Sequence, residues 1–116
     1  MNQRATVLIV DDDPDIVDTM RDILVEEGHT VLSAANGQQA LEVARVSALD
    51  LVLLDLDMPI MDGRQFLERA KVEDCMRNVE VVVISGAPDA PPNSIEKPLR
   101  LTTLLGMLSR IRKPAT

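Results

Sequence analysis

Leu51–Leu54 (LVLL) lies between Asp50 and Asp55 and is apolar at every position. Four residues are too few for a buried helix and suit a strand covered on both faces. Such strands belong to parallel sheets with helices packed on either side, which restricts what the whole chain can fold into. The run also ends abruptly, in Asp55-Leu56-Asp57-Met58-Pro59. The carboxyl ends of strands in open α/β sheets form the rim where ligands bind, so Asp55 is a candidate functional residue by position alone.

The rest of the chain repeats the pattern. Thr6 to Val10 (TVLIV) is β-branched and apolar, a second buried strand, and it ends in Asp11-Asp12-Asp13-Pro14. Asp13 suits the cap and Pro14 the first position of a helix carrying Ile16, Val17, Met20, Ile23 and Leu24 on one face, with Gly28 as its stop. His29 to Ala34 reads as a strand, and Asn36-Gly37 turns the chain into a helix with Ala40, Leu41, Ala44 and Val46 inward. After the loop from Met58 to Gly63 a third helix uses Phe66, Leu67 and Ala70, and Glu80 to Ile84 is a fourth strand ending in Ser85-Gly86. The stretch from Ala87 to Ser94 (APDAPPNS) has three prolines in eight residues and cannot hold a regular helix. Ile95-Glu96 is at most a stub of a fifth strand before Lys97-Pro98. A last helix from about Arg100 to Ile111 aligns Leu101, Leu104, Leu105, Leu108 and Ile111. Strict alternation of strand and helix implies right-handed crossovers in one parallel sheet.

At 116 residues the chain is expected to form one domain, residues 1–116, with no internal repeat. Phe66 is the only aromatic residue, so the core must be aliphatic. A net charge of −7 argues against nucleic acid or an anionic membrane surface as a direct partner. One cysteine, Cys75, and one histidine, His29, exclude a disulfide framework, a Cys-based zinc site and a multi-histidine metal site. The apolar run from Val7 to Val10 is too short for a signal peptide or a membrane span, which points to the cytoplasm.

Four strand ends carry polar groups that an aliphatic sheet does not need: Asp11 and Asp12, Asp55, Ser85, and Lys97 on the fifth segment. Each has a duller reading alone. Acids before Pro14 can be a helix start, Asp55 a turn residue, Ser85-Gly86 a strand-ending turn and Lys97 a solvated charge. The duller readings do not explain why all fall at the same end of successive strands. Three converging carboxylates repel, and a divalent cation relieves that repulsion. An all-oxygen site with few protein ligands favours Mg²⁺, which keeps several waters and accepts phosphate oxygens. With the Lys97 ammonium and the Ser85 hydroxyl nearby, the set suits phosphoryl transfer to Asp55 as nucleophile.

The segments VLIVDDDPDI, DLVLLDLDMPIMDG, VVVISGAPD and EKP, in this order, resemble the receiver domain of two-component response regulators over nearly the whole chain. LLDLDMP followed by DG is the most specific of them. The 43 residues from Asp12 to Asp55 and the 30 from Asp55 to Ser85 are in line with the family. The resemblance implies a flavodoxin-like fold with strand order 2-1-3-4-5. It makes Asp55 the phosphoacceptor, Asp12 a direct Mg²⁺ ligand, Asp11 a holder of the metal's waters and the Asp57 backbone carbonyl a further ligand. Ser85 becomes the switch hydroxyl bonding the phosphoryl group and Lys97 its counter-charge, with Lys97-Pro98 a cis peptide. The implied donor is a sensor histidine kinase or a histidine phosphotransfer protein, and the only catalysis is self-phosphorylation and self-dephosphorylation.

The chain departs from the family in two linked places. Ser85 to Lys97 is only 12 residues, about ten fewer than usual, or roughly three helical turns. The fourth helix is therefore expected to be replaced by the proline-rich loop. The family's switch aromatic would fall on Ser94, so the chemistry is expected to be intact and the output surface altered. Phosphorylation is expected to order the loop. Two other readings stand beside this one: a pseudo-receiver that binds proteins without phosphorylation, and a haloacid-dehalogenase-type Mg²⁺ phosphatase suggested by Asp55-Leu56-Asp57. The latter family needs its aspartate pair on the first strand, whereas here the pair is mid-chain. The chain is either free-standing or part of a larger protein, a monomer or a weak homodimer through the last helix, with an unidentified downstream partner.

Overall fold

A computed structural model gives the protein's structure and describes residues 4–86, 94–96, 102, 103 and 106. In chain order these form β1 (Thr6–Val10), α1 (Pro14–Glu26), β2 (Thr30–Ala34), α2 (Gly37–Val46), β3 (Leu51–Leu54), α3 (Gly63–Ala70), a 3₁₀ turn at Asp74–Met76, β4 (Glu80–Ser85) and β5 (Ile95–Glu96). Lys97, the Lys97-Pro98 peptide and residues 87–93 of the proline-rich stretch lie outside the described residues. So does most of the expected last helix, of which Thr102, Thr103 and Gly106 are helical.

Each helix starts where side-chain chemistry dictates. The Asp13 carboxylate accepts from the Asp15 N–H at 3.0 Å, with Pro14 in the first turn, where a missing N–H costs nothing. Asn36 caps α2 by accepting from the Gln39 N–H at 2.9 Å. Asp62 and Gln65 close a reciprocal capping box on α3, at 2.9 and 3.0 Å. Gly28, after α1, has φ 94°, a left-handed value that glycine adopts without strain.

The five strands are parallel, in the order β2-β1-β3-β4-β5. This is the flavodoxin-like arrangement that the resemblance implies. β3 is central and buried at all four residues. Alternate side chains build two cores. On one face Val7, Ile9, Leu51, Leu53, Val82 and Ile84 pack with Val17, Met20 and Leu24 of α1. On the other, Leu8, Val10, Val52, Leu54 and Val83 pack with Ala40, Leu41 and Ala44 of α2 and with Phe66 of α3. Phe66 is fully buried and fills a space that aliphatic residues supply elsewhere.

Three details differ from expectation. Val46 is 85% exposed rather than inward. It is the last residue of α2 and stands two positions, about 200°, around the helix from Ala44, off the stripe set by Ala40, Leu41 and Ala44. β2 begins at Thr30 because His29 instead bonds through its backbone N–H to the Leu24 carbonyl at 3.0 Å. Gly63 opens α3 rather than ending a loop, since the cap falls on Asp62.

Candidate functional site

Register brings the strand ends together. Val10 pairs with Leu54 and Leu54 with Val83, so Asp11 and Asp55 are the next residues on adjacent strands and Ser85 lies one step further on β4. Backbone bonds continue the ladder: the Asp55 N–H donates to the Val10 carbonyl at 2.9 Å and the Asp11 N–H to the Ala34 carbonyl at 3.1 Å. Asp11 and Asp55 are therefore fixed by the sheet itself.

Among the described residues the buried polar ones are Asp11, Asn36, Asp55 and Ser85. All four stand at or just beyond the carboxyl ends of β1 to β4. Asp55 is 7% exposed, a setting that an aliphatic sheet gives a carboxylate only at a cost unless something compensates its charge. Asp12 is exposed at the mouth. Carboxylate oxygens of Asp11, Asp12 and Asp55 all lie within 4.8 Å of one another. The Asp13 N–H donates to Asp11 Oδ1 at 3.0 Å, which orients that carboxylate. A cleft of about 550 Å³ opens beside Asp11 and Asp55, walled by Ile16 and Met20 of α1 and by Leu53 and Ile84 of the sheet.

The loop from Leu56 to Gly63 passes directly behind Asp55. Gly63 donates its N–H to the Leu56 carbonyl at 2.9 Å, closing the loop at its base. A Cβ on Gly63 would collide with the Asp55 carbonyl oxygen and lie 2.8 Å from Leu56 Cα, so the approach requires glycine. Asp57 sits exposed on this loop. Ser85, 3% exposed, ends β4 and pairs with Glu96 on β5. Thus Asp11, Asp12, Asp55, Asp57 and Ser85 share the rim, and Lys97, next after Glu96, lies outside the described residues. Ser94, in the place of the expected aromatic, has a buried Oγ without a hydrogen-bond partner among the described contacts.

Reasoning from sequence missed Asn36, Gly37 and Ile60 as parts of this rim. Asn36-Gly37 reads as a plain turn. Ile60 has φ 68°, a left-handed value for a β-branched residue, and nothing in residue type announces it.

Comparison with known proteins agrees with this geometry. Residues 7–109 match the response regulator receiver domain family. The chain belongs to that family. It is 37% identical over 116 residues to sporulation initiation phosphotransferase F of Bacillus subtilis, covering 98% of this chain and 84% of that protein. It is 34% identical to the autoinducer 1 sensor kinase/phosphatase LuxN of Vibrio campbellii, covering 99% of this chain but only 12% of the kinase. A solved receiver domain protein from Methanospirillum hungatei superposes with a TM-score of 0.79 at 28% identity, covering 91% of both chains. The receiver domain of a sensor histidine kinase from Pseudomonas aeruginosa, solved with magnesium in its active-site cleft, superposes with a TM-score of 0.82 at 22% identity, over 91% of this chain and 95% of that one.

Proposed function

We propose that this domain takes a phosphoryl group from a phosphohistidine onto Asp55 and later releases it as inorganic phosphate. The observation that carries the reading is the buried Asp55 carboxylate at the end of the central strand, ringed by two further carboxylates within 4.8 Å. A turn residue or a surface acid has no reason to sit there.

The donor set fits a hard divalent cation. Mg²⁺ holds oxygens at about 2.1 Å in an octahedron, so its ligand oxygens stand roughly 3–4 Å apart. Carboxylate oxygens of Asp11, Asp12 and Asp55 within 4.8 Å of one another supply hard oxygen donors near that spacing. Asp12 and Asp55 would hold the ion directly, Asp11 would hold its waters, and the Asp57 carbonyl would add a backbone ligand. Bound there, Mg²⁺ offsets negative charge on the acceptor and on the phosphoryl oxygens.

The chain's own groups do the rest. An Asp55 carboxylate oxygen forms the new O–P bond as the P–N bond to the donor imidazole breaks, and the bonding pair leaves on the imidazole nitrogen. The Ser85 hydroxyl donates to a phosphoryl oxygen, and the Lys97 ammonium pairs with another. Water later attacks phosphorus and restores the carboxylate, so the domain catalyses only its own turnover. A sensor histidine kinase or a histidine phosphotransfer protein supplies the group, and a downstream protein reads it.

The test compares donors. With Mg²⁺ and a small phosphodonor the protein is expected to form one base-labile, hydroxylamine-labile adduct per chain. Rapid turnover of assorted phosphate esters without an adduct would instead mark a phosphatase. Absence of any adduct would mark a protein-binding module.

A further inference from the structure

The loop from Leu56 to Gly63 carries Asp57 past the acidic cluster, and its shape is unusual. Ile60, at its tip, holds φ 68° although it is β-branched, a conformation that persists only where surrounding structure imposes it. Ile60 is 79% exposed, so packing of its own side chain does not impose it. Two backbone ties do. At the base, the Gly63 N–H donates to the Leu56 carbonyl at 2.9 Å. On the far side, the N–H of Gly37, the first residue of α2, donates to the Met61 carbonyl at 2.7 Å. Gly37 is buried against this loop: a Cβ there would lie 2.8 Å from Met61 Cγ and 2.9 Å from the Met61 carbonyl oxygen. The Asn36 side chain, itself buried, fixes that end of α2 by capping Gln39 at 2.9 Å.

We infer that the amino end of α2 is a positioning element for the metal cage: Gly37, by clamping the Met61 carbonyl, holds the loop in the strained form that sets Asp57. Gly37 touches no reacting atom and acts through Met61, Ile60 and the intervening backbone. The inference rests on the reading that Asp57 contributes a backbone ligand to Mg²⁺. Groups that orient metal ligands from behind influence affinity strongly although they never touch the ion.

The test uses Gly37→Ala, Gly37→Ala/Ile60→Gly and Ile60→Gly, with Mg²⁺ as the probe. Alanine favours helix over glycine, so Gly37→Ala can harm the protein only through its contact with the loop. Calorimetry is expected to show Mg²⁺ bound about ten-fold more weakly by Gly37→Ala, as for loss of an outer-shell partner. Amide exchange at Ile60, Met61 and Asp62 should speed up while the rest of the sheet keeps its rates. Adding Ile60→Gly, which adopts positive φ freely, should restore affinity to within about two-fold.

A folded Gly37→Ala with wild-type affinity and wild-type exchange overturns the inference, and so does a double variant that recovers nothing. Should Gly37→Ala fail to fold, Ile60→Gly alone decides: retained affinity supports the clamp, and lost affinity shows that the isoleucine side chain sets the loop. If the wild type binds no Mg²⁺, the cage reading itself fails. The clamp is then judged by the exchange rates, which must rise in Gly37→Ala and overturn it if unchanged.

Discussion

The two ends of the sheet solve the problem of polar groups in opposite ways. At the amino ends of the strands, side chains complete the backbone. The Ala5 N–H donates to His29 Nδ1 at 2.9 Å and the Thr6 N–H to Asp50 Oδ2 at 2.8 Å, while the Asp50 backbone bonds Thr6 and Glu80 on either side. At the carboxyl ends the buried polar side chains are Asp11, Asn36, Asp55 and Ser85, and three carboxylates of the rim crowd within 4.8 Å. One end uses its polar groups to hold strands in place. The other concentrates like charge, which a bound divalent cation would relieve. Under the proposed function, stability and chemistry lie at opposite ends of the strand axis, and substitutions at the two ends should separate them experimentally.

The largest expected effect is at the rim. A ligand present at a hundred times its dissociation constant stabilises the folded state by about 2.7 kcal/mol. Mg²⁺ at that level should raise the wild-type unfolding free energy by this amount, and Asp12→Ala should lose most of the gain while staying folded without the ion. Denaturant titrations with Mg²⁺ and with a chelator measure both. At the opposite end, Asp50→Ala strands the Thr6 N–H and should cost about 1–3 kcal/mol, with Mg²⁺ affinity of the folded protein unchanged. His29→Ala should cost about 0.5–1.5 kcal/mol by the same logic, again with no change in Mg²⁺ affinity. An altered Mg²⁺ affinity in either variant would break the separation. The smallest effect is a gain: Ile60→Gly exchanges left-handed strain for glycine's added chain entropy and should stabilise by about 0.5–1 kcal/mol in the same titrations.

Much of this architecture is readable in the chain because the signals are local and redundant. LVLL before Asp55, TVLIV before Asp11 and EVVVI before Ser85 mark both the strands and the rim, and Asp13-Pro14 marks a helix start by capping chemistry alone. What was not readable depends on distant neighbours. Val46 continues an apolar pattern but lies off the buried stripe at the last position of its helix. Gly37 and Gly63 look like turn residues, whereas their real constraint is the close approach of Met61 and of the Asp55–Leu56 backbone. Ile60 has the wrong residue type for its backbone angle, and only the ties around it explain how it is held. Apart from Val46, at the other end of α2, these exceptions lie on or against the loop that follows Asp55, where a chain departs from local preference for the sake of a site.

Under the proposed function, the crowded rim exists to place a phosphoryl group on one carboxylate. Peptide mapping after incubation with a small phosphodonor tests it most directly, run with Mg²⁺ and with a chelator on wild type and Asp55→Ala. A single hydroxylamine-labile phosphoryl group is expected on Asp55, formed with Mg²⁺ and absent both with the chelator and in Asp55→Ala. A phosphoryl group on another residue, or an adduct that survives Asp55→Ala undiminished, would contradict it.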